Sequence, residues 1–216
     1  MGVTILQPYL VPENKTGAQT IEALTKQLTA LGAVQAGHFL VDCETYMSSI
    51  QQMGHPPKTV HVLHSSEHPA SVFSILDTGT KQIPLVADGL FDLLMLKMTP
   101  HYTSKKQTKT ESKGPRFELG DFLVKLGSVT MSSSFKGILV EVEYRPCILA
   151  GSCWELMREF LQGFLGSCVP NTIPSYFTNH NRHNEIYQPL DTIQQYLEHF
   201  TNYRKQTTPA VAGMRS

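Results

Sequence analysis

The sequence predicts an α+β fold, an antiparallel sheet flanked by helices, and three observations predict it. Apolar residues recur at helical spacing in several separated stretches. Between them lie short β-branched or apolar runs broken by Gly, Pro and polar clusters. The resulting order of helix, several strands, helix, long hairpin and two helices suits helices packed on an antiparallel sheet.

The elements follow in order along the chain. Thr16, with Gln19 three residues on, reads as a capping box. Ile21, Leu24, Leu28 and Leu31 then form a helical stripe, and Gly32 supplies the stop. His38 to Cys43, Thr59 to His64, Ser71 to Leu76 and Gln82 to Ala87 read as strands. Asp88 is placed to cap a short helix through Phe91, Leu94, Met95 and Met98. Residues 99–116 turn polar and are expected to form an exposed loop. Its lysines Lys105, Lys106, Lys109 and Lys113 could form a nucleic-acid or import patch, but such motifs are loose and the composition favours a solvated connection.

Phe117 to Met131 and Gly137 to Tyr144 are the strongest strand signals, joined across Ser132, Ser133 and Ser134, with Gly120 and Gly127 marking bulges or close approaches. Ser152 and Glu155 form a second capping box. It should open a helix whose face carries Trp154, Met157, Phe160, Leu161, Phe164 and Leu165, closed by Gly166. Residues 169–188 are rich in Pro, Asn and His but hold Tyr176, Phe177, Ile186 and Tyr187, so they should dock on the body. A last helix is expected from Pro189, presenting Leu190, Ile193, Leu197 and Phe200. The organisation expected is a single domain over residues 1–204 and a flexible tail over 205–216.

Composition narrows the function classes. The 216 residues carry 18 Lys plus Arg and 18 Asp plus Glu, so no global field steers the chain to nucleic acid or an anionic membrane. Direct DNA binding is therefore disfavoured. Cys43, Cys147, Cys153 and Cys168 contain no C-x-x-C pair and do not resemble a secreted disulfide framework, so free thiols of a reducing compartment are expected. No targeting segment is evident: the run from Val3 to Val11 is too short to span a bilayer and contains Pro8, and Leu6 stands where a myristoylation signal needs Ser or Thr.

Three motifs invite chemistry. His64-Ser65-Ser66-Glu67-His68 matches the H-x-x-E-H pattern, which holds zinc only on a helix; a strand before it and Pro69 after it favour a turn. His180 and His183 are three apart with no further ligand at a recognised spacing, and read as a polar surface loop. Glu141, Glu143 and Arg145 share one face of a strand. That E-x-E-x-R pattern resembles the E-x-E-x-K of the triphosphate tunnel metalloenzymes, whose strand-borne glutamates hold metal. A half-exposed strand, with Ile138, Val140, Val142 and Tyr144 on the core and Glu141 and Glu143 toward water or a wet channel, explains the alternation without metal. The inward charges that a tunnel requires are only scattered elsewhere, as Asp42 and Glu44 or Asp121 and Lys125. The residues thus assign no catalytic, cofactor or metal site.

Longer runs carry a resemblance. Phe39-Leu40-Val41-Asp42-Cys43-Glu44-Thr45-Tyr46, Phe91-Asp92-Leu93-Leu94-Met95, Asp121 to Met131, Gly137 to Tyr144, Cys153-Trp154-Glu155-Leu156 and Phe160 to Gly166 together resemble the Mediator subunit 20 (TRF-proximal protein) family over nearly the whole chain. The resemblance implies a β-barrel-like fold with flanking helices and a nuclear, non-catalytic, structural role in the Mediator head module. It implies pairing with subunit 18, contact with a helix of subunit 8, and a path from regulators to RNA polymerase II. It names no catalytic residue and no partner-facing surface. The rival reading is a metal-dependent triphosphate-tunnel phosphohydrolase using Glu141 and Glu143.

Overall fold

The computed structural model describes residues 2–49 and 57–206. In chain order these form β1 (Val3–Tyr9), α1 (Gly17–Ala30), β2 (Val34–Ser48), β3 (Thr59–Ser65), β4 (Val72–Asp77), β5 (Gln82–Ala87), α2 (Leu90–Lys97), β6 (Tyr102–Ser104), β7 (Thr110–Leu119), β8 (Phe122–Met131), β9 (Ser134–Tyr144), α3 (Ala150–Leu165), α4 (Ser175–Asn179) and α5 (Pro189–Gln206). All nine strands join one antiparallel sheet in the order β1-β9-β8-β7-β2-β3-β4-β5, with β6 paired to β2. The fold class is α+β, as the sequence predicts.

Local chemistry sets the joints. The Thr16–Gln19 capping box is present in both directions and opens α1. Ser132 and Ser133 turn the β8–β9 hairpin with φ of 46° and 71°, a left-handed pair that suits the twist of the flanking strands. Gly166, at φ 75°, ends α3. The cysteines are all free.

Two apolar layers sandwich the sheet. On one face Val3, Ile5, Val124, Leu126, Ile138, Val140 and Val142 pack with Leu24 and Leu28 of α1 and Trp154, Met157 and Leu161 of α3. On the other, Leu6, Phe39, Val41, Leu63, Phe73, Ile75 and Leu139 pack with Ile193, Tyr196, Leu197 and Phe200 of α5. The parity of the strands accounts for this split: odd and even positions of β1 and β9 point to opposite layers.

The sheet curls around α5. Laid flat, the seven steps from β1 to β5 would cover roughly 34 Å at ~4.8 Å per strand, whereas a helix is only ~10–12 Å across. Yet α5 reaches Leu6 of β1, Thr110 of β7 and Cys43 of β2, and flanks one recess with Gln82 of β5. Only a strongly curved, barrel-like sheet permits this. The barrel is not closed, because β1 and β5 pair with each other nowhere among the described residues.

Four expectations need correction. The segment over 99–116 is not an exposed loop: β6 and β7 lie within it, and β7 is a central strand between β2 and β8. Its inward residues Thr110 and Ser112 are small and polar, yet fully buried. Short side chains there leave room for α5 over the sheet, and Gly114 is needed because a Cβ would sit 1.9 Å from the Leu126 carbonyl oxygen. The second correction concerns Ser152, which does not cap α3. The helix starts at Ala150, and Glu155 pairs instead with Arg158 one turn on. Third, Lys205 and Gln206 of the expected tail continue α5, while 207–216 lie outside the described residues. The fourth, the placement of Glu141, belongs to the site itself.

Candidate functional site: a filled interior and an exposed apolar shoulder

β9 carries Glu141 into the inner layer, opposite Lys125 of β8 and Leu6 of β1. Both charged residues are almost fully covered, Lys125 at 4% and Glu141 at 3% exposure, so of the two expected surroundings, water or a channel, Glu141 does not have the open water and instead borders an interior cavity. The Lys125 ammonium donates to Glu141 Oε1 at 2.8 Å, and the Tyr196 hydroxyl of α5 donates to Oε2. Burial, reinforced by the neighbouring Glu141 carboxylate, holds the Tyr196 phenol well above its ordinary pKa, so it remains a donor. Lys125 also lies 5.6 Å from the centre of the Phe39 ring and 3.9 Å from Glu67. A buried charge is tolerated only when paired and hydrogen-bonded, and each carboxylate oxygen of Glu141 has a donor.

The other two residues of the E-x-E-x-R pattern go elsewhere. Glu143 accepts from the Gly2 backbone N–H at 2.6 Å, and Arg145 donates to Glu118 at 2.7 Å. Thus each of the three has a protein partner of its own, and Arg145 lies apart from the two glutamates. A cavity of about 190 Å³ does remain beside Lys125, Glu141 and Glu143, bordered also by Glu67, His68 and Tyr196. The inner face is otherwise taken up by α5: Ile193, Leu197 and Phe200 are buried in it. Among the described residues no group of three His, Cys, Asp or Glu is placed to hold a metal ion. No described helix is long and apolar enough to cross a membrane.

The remaining sequence-marked residues are structural. His64 sits at the end of β3 between Asp42 (3.0 Å) and Asp92 (3.2 Å), tying α2 to the sheet. The hydrogen bond that the imidazole donates to Asp42, aided by both carboxylate charges and opposed by burial, pushes His64 up to about 9. His68 turns away and meets the edge of Phe73. His61, beneath α5, bonds Thr45 Oγ1 and is held down to about 4, by burial first and by Arg204 second. His180 packs on Tyr176, and the His183 carbonyl accepts from Gly151, so the two histidines share no site. Of the loop lysines, Lys109 is anchored to Glu44 at 3.2 Å, with Asp42 and Glu111 each at 3.9 Å.

α5 also shields one edge of the sheet. The side-chain amide of Gln195 accepts from Leu6 N–H at 3.3 Å and donates to the Thr4 carbonyl at 3.0 Å, standing in for a neighbouring strand. Pro8, of the same parity, has no N–H to offer.

Residues 1–201 match the family described as the TATA-binding related factor (TRF) of subunit 20 of the Mediator complex. The chain belongs to the Mediator subunit 20 family. It is 76% identical over 219 residues to the Mediator of RNA polymerase II transcription subunit 20 of Aedes aegypti, covering 98% of this chain and 99% of the relative. It is 46% identical over 218 residues to the human protein of the same name, covering both completely. Among solved structures, a putative adenylyl cyclase from Hippeastrum with a dominant triphosphatase activity is similar at a TM-score of 0.45 and 9% identity, over 88% of this chain and 99% of that one. A likeness of that strength carries no functional argument.

The surface of this subunit 20 family member has one feature that motif reading missed. α2 buries only Met95, and Phe91 packs beside it against Val60, Val62 and Val72. Leu90, Leu93, Leu94 and Leu96 are exposed. The signal was present in the sequence: six of the eight residues of α2 are apolar, more than one buried face can hold.

Proposed function

We propose that this chain is a non-catalytic structural subunit of the Mediator head module that pairs with subunit 18, contacts the helix of subunit 8, and works in the nucleus to couple regulators to RNA polymerase II transcription. Residues 1–204 act in it as one unit. Family membership supports the Mediator role, and the wiring of Glu141 supports the absence of catalysis. The carboxylate that a metal would need is occupied by Lys125 and Tyr196, and α5 packs over the inner face of the sheet beside it. The balanced charge and the anchoring of Lys109 argue against direct DNA binding, so contact with the polymerase machinery runs through other proteins. The tunnel-phosphohydrolase reading is not favoured.

Reconstitution tests this. Mixed with the subunit 18 equivalent of the same organism, the chain should co-elute as a stoichiometric complex. A partner that binds only the folded state should stabilise it by ~4 kcal/mol at a thousandfold excess over Kd. A melting temperature unmoved by a saturating, demonstrably bound subunit 18 equivalent would count against the proposal, as would failure to co-elute.

A further inference from the structure

We propose that α2 and the outward face of β5 form the shoulder on which the subunit 18 partner docks, through a folded apolar surface and not through an added strand. The inference rests on the assembly reading above and assigns it a place on the molecule.

α2 spans only eight residues, and its inner side is taken up by Met95 and Phe91. At 100° per residue, Leu96, Leu93, Leu90 and Leu94 fan across the opposite side, where a helix facing water would carry polar groups. β5 extends the same surface. Ile83 and Leu85 stand opposite Leu76 and Ser74 of β4, so they point to the face of the sheet that α2 covers. These six residues are between 42% and 69% exposed. Together they present apolar area on the order of 600 Å², at the upper end for a lone monomer and near the ~800 Å² that each partner contributes to a standard interface. Lys97 projects between Leu93 and Leu90, Lys81 precedes β5, and Asp88 and Asp92 flank the stretch, a balance of charges that suits neither a phosphate backbone nor an anionic lipid surface.

Strand addition is the competing mode at a free edge, and β5 is poorly made for it. Thr78 N–H donates to the Lys81 carbonyl, closing the β4–β5 hairpin. Alternation from that pair turns the nitrogens of Gln82, Pro84 and Val86 to the free side. Pro84 therefore removes the central donor that an incoming strand would need. Side-chain packing is left as the mode of contact.

The test uses the full chain and the recombinant subunit 18 equivalent, with affinity read by calorimetry. Leu93→Glu combined with Leu96→Glu keeps strong helix formers on the exposed face and should weaken binding at least tenfold. Leu156→Glu, an exposed leucine on α3, should change it less than twofold. Amide exchange of the wild-type complex should show new protection across residues 83–97, which keeps the test decisive should the double variant fail to fold. Equal binding by a well-folded double variant, or no protection there, overturns the shoulder while leaving the assembly reading intact. No binding by the wild type overturns the assembly reading instead. A wild-type dimer of this chain alone that the double variant abolishes would make the occupant a second copy and overturn the proposal.

Discussion

Lys125 and Glu141 face each other across adjacent strands and form an ion pair at 2.8 Å in the interior of the curled sheet. Desolvating two charges costs nearly what their attraction returns, so the pair adds little net stability, whereas losing one partner strands the other. Lys125→Met should therefore destabilise the chain by about 3–5 kcal/mol in urea unfolding. Lys125→Met with Glu141→Met should be milder than the single change. Its residual cost, about 1–3 kcal/mol, is the Tyr196 hydroxyl left without an acceptor. A double variant as costly as the sum of the singles would refute the pairing.

The chain should turn over neither nucleoside triphosphates nor inorganic triphosphate with Mg²⁺ or Mn²⁺, and Mn²⁺ should not raise its melting temperature. Turnover above background that disappears in Glu141→Gln would reverse this.

His64 makes stability depend on pH in a stated direction. Its folded pKa of about 9 lies above the ordinary 6.5, so its contribution is complete below pH 6.5 and lost as pH rises through 9. With the imidazole 38% exposed, solvent screening limits the effect to on the order of 1 kcal/mol. Unfolding free energies between pH 6.5 and 10 should fall more steeply in the wild type than in His64→Gln.

Gln195→Ala should bare the Leu6 N–H and Thr4 carbonyl at the β1 edge, costing about 1–3 kcal/mol. Faster exchange of the Leu6 amide under native conditions would report the loss directly; an unchanged rate would show that the edge is protected by other means.

Val142→Ala should open a cavity against α1 and α3 and cost on the order of 1–3 kcal/mol, read from the urea midpoint. Because β9 is buried on both sides, changes at Leu139 should be as damaging as those at Val142, contrary to the half-exposed strand the sequence suggests.

What the sequence made legible follows from what each position needs. α1, α3 and α5 declare themselves because one side of each helix is apolar and the other is not, as Leu24 and Leu28 or Ile193, Leu197 and Phe200 show. β7 does not, because Thr110 and Ser112 are buried beneath a helix that needs space, and polarity there imitates a loop. Nor does Glu141: alternation on β9 gives its face but not its environment. Whether that face is wet depends on Lys125, 16 residues away, and on Tyr196, 55 residues away. The leucines of α2 were visible throughout; their meaning lay in their number on so short a helix.

The wrapping of the sheet around α5 has a consequence for synthesis. The amide that completes the edge of β1 arrives 189 residues after Leu6, and the side chains that fill the interior are concentrated between Ile193 and Phe200. While a ribosome is still making residues up to that point, every strand can exist with its inner face bare. Closure must wait for release of α5 from the exit tunnel, and contacts this distant in sequence are slow to form. A premature stop between Tyr144 and Pro189 should accordingly yield a sticky, chaperone-bound sheet that cannot mature, even though every strand has been translated.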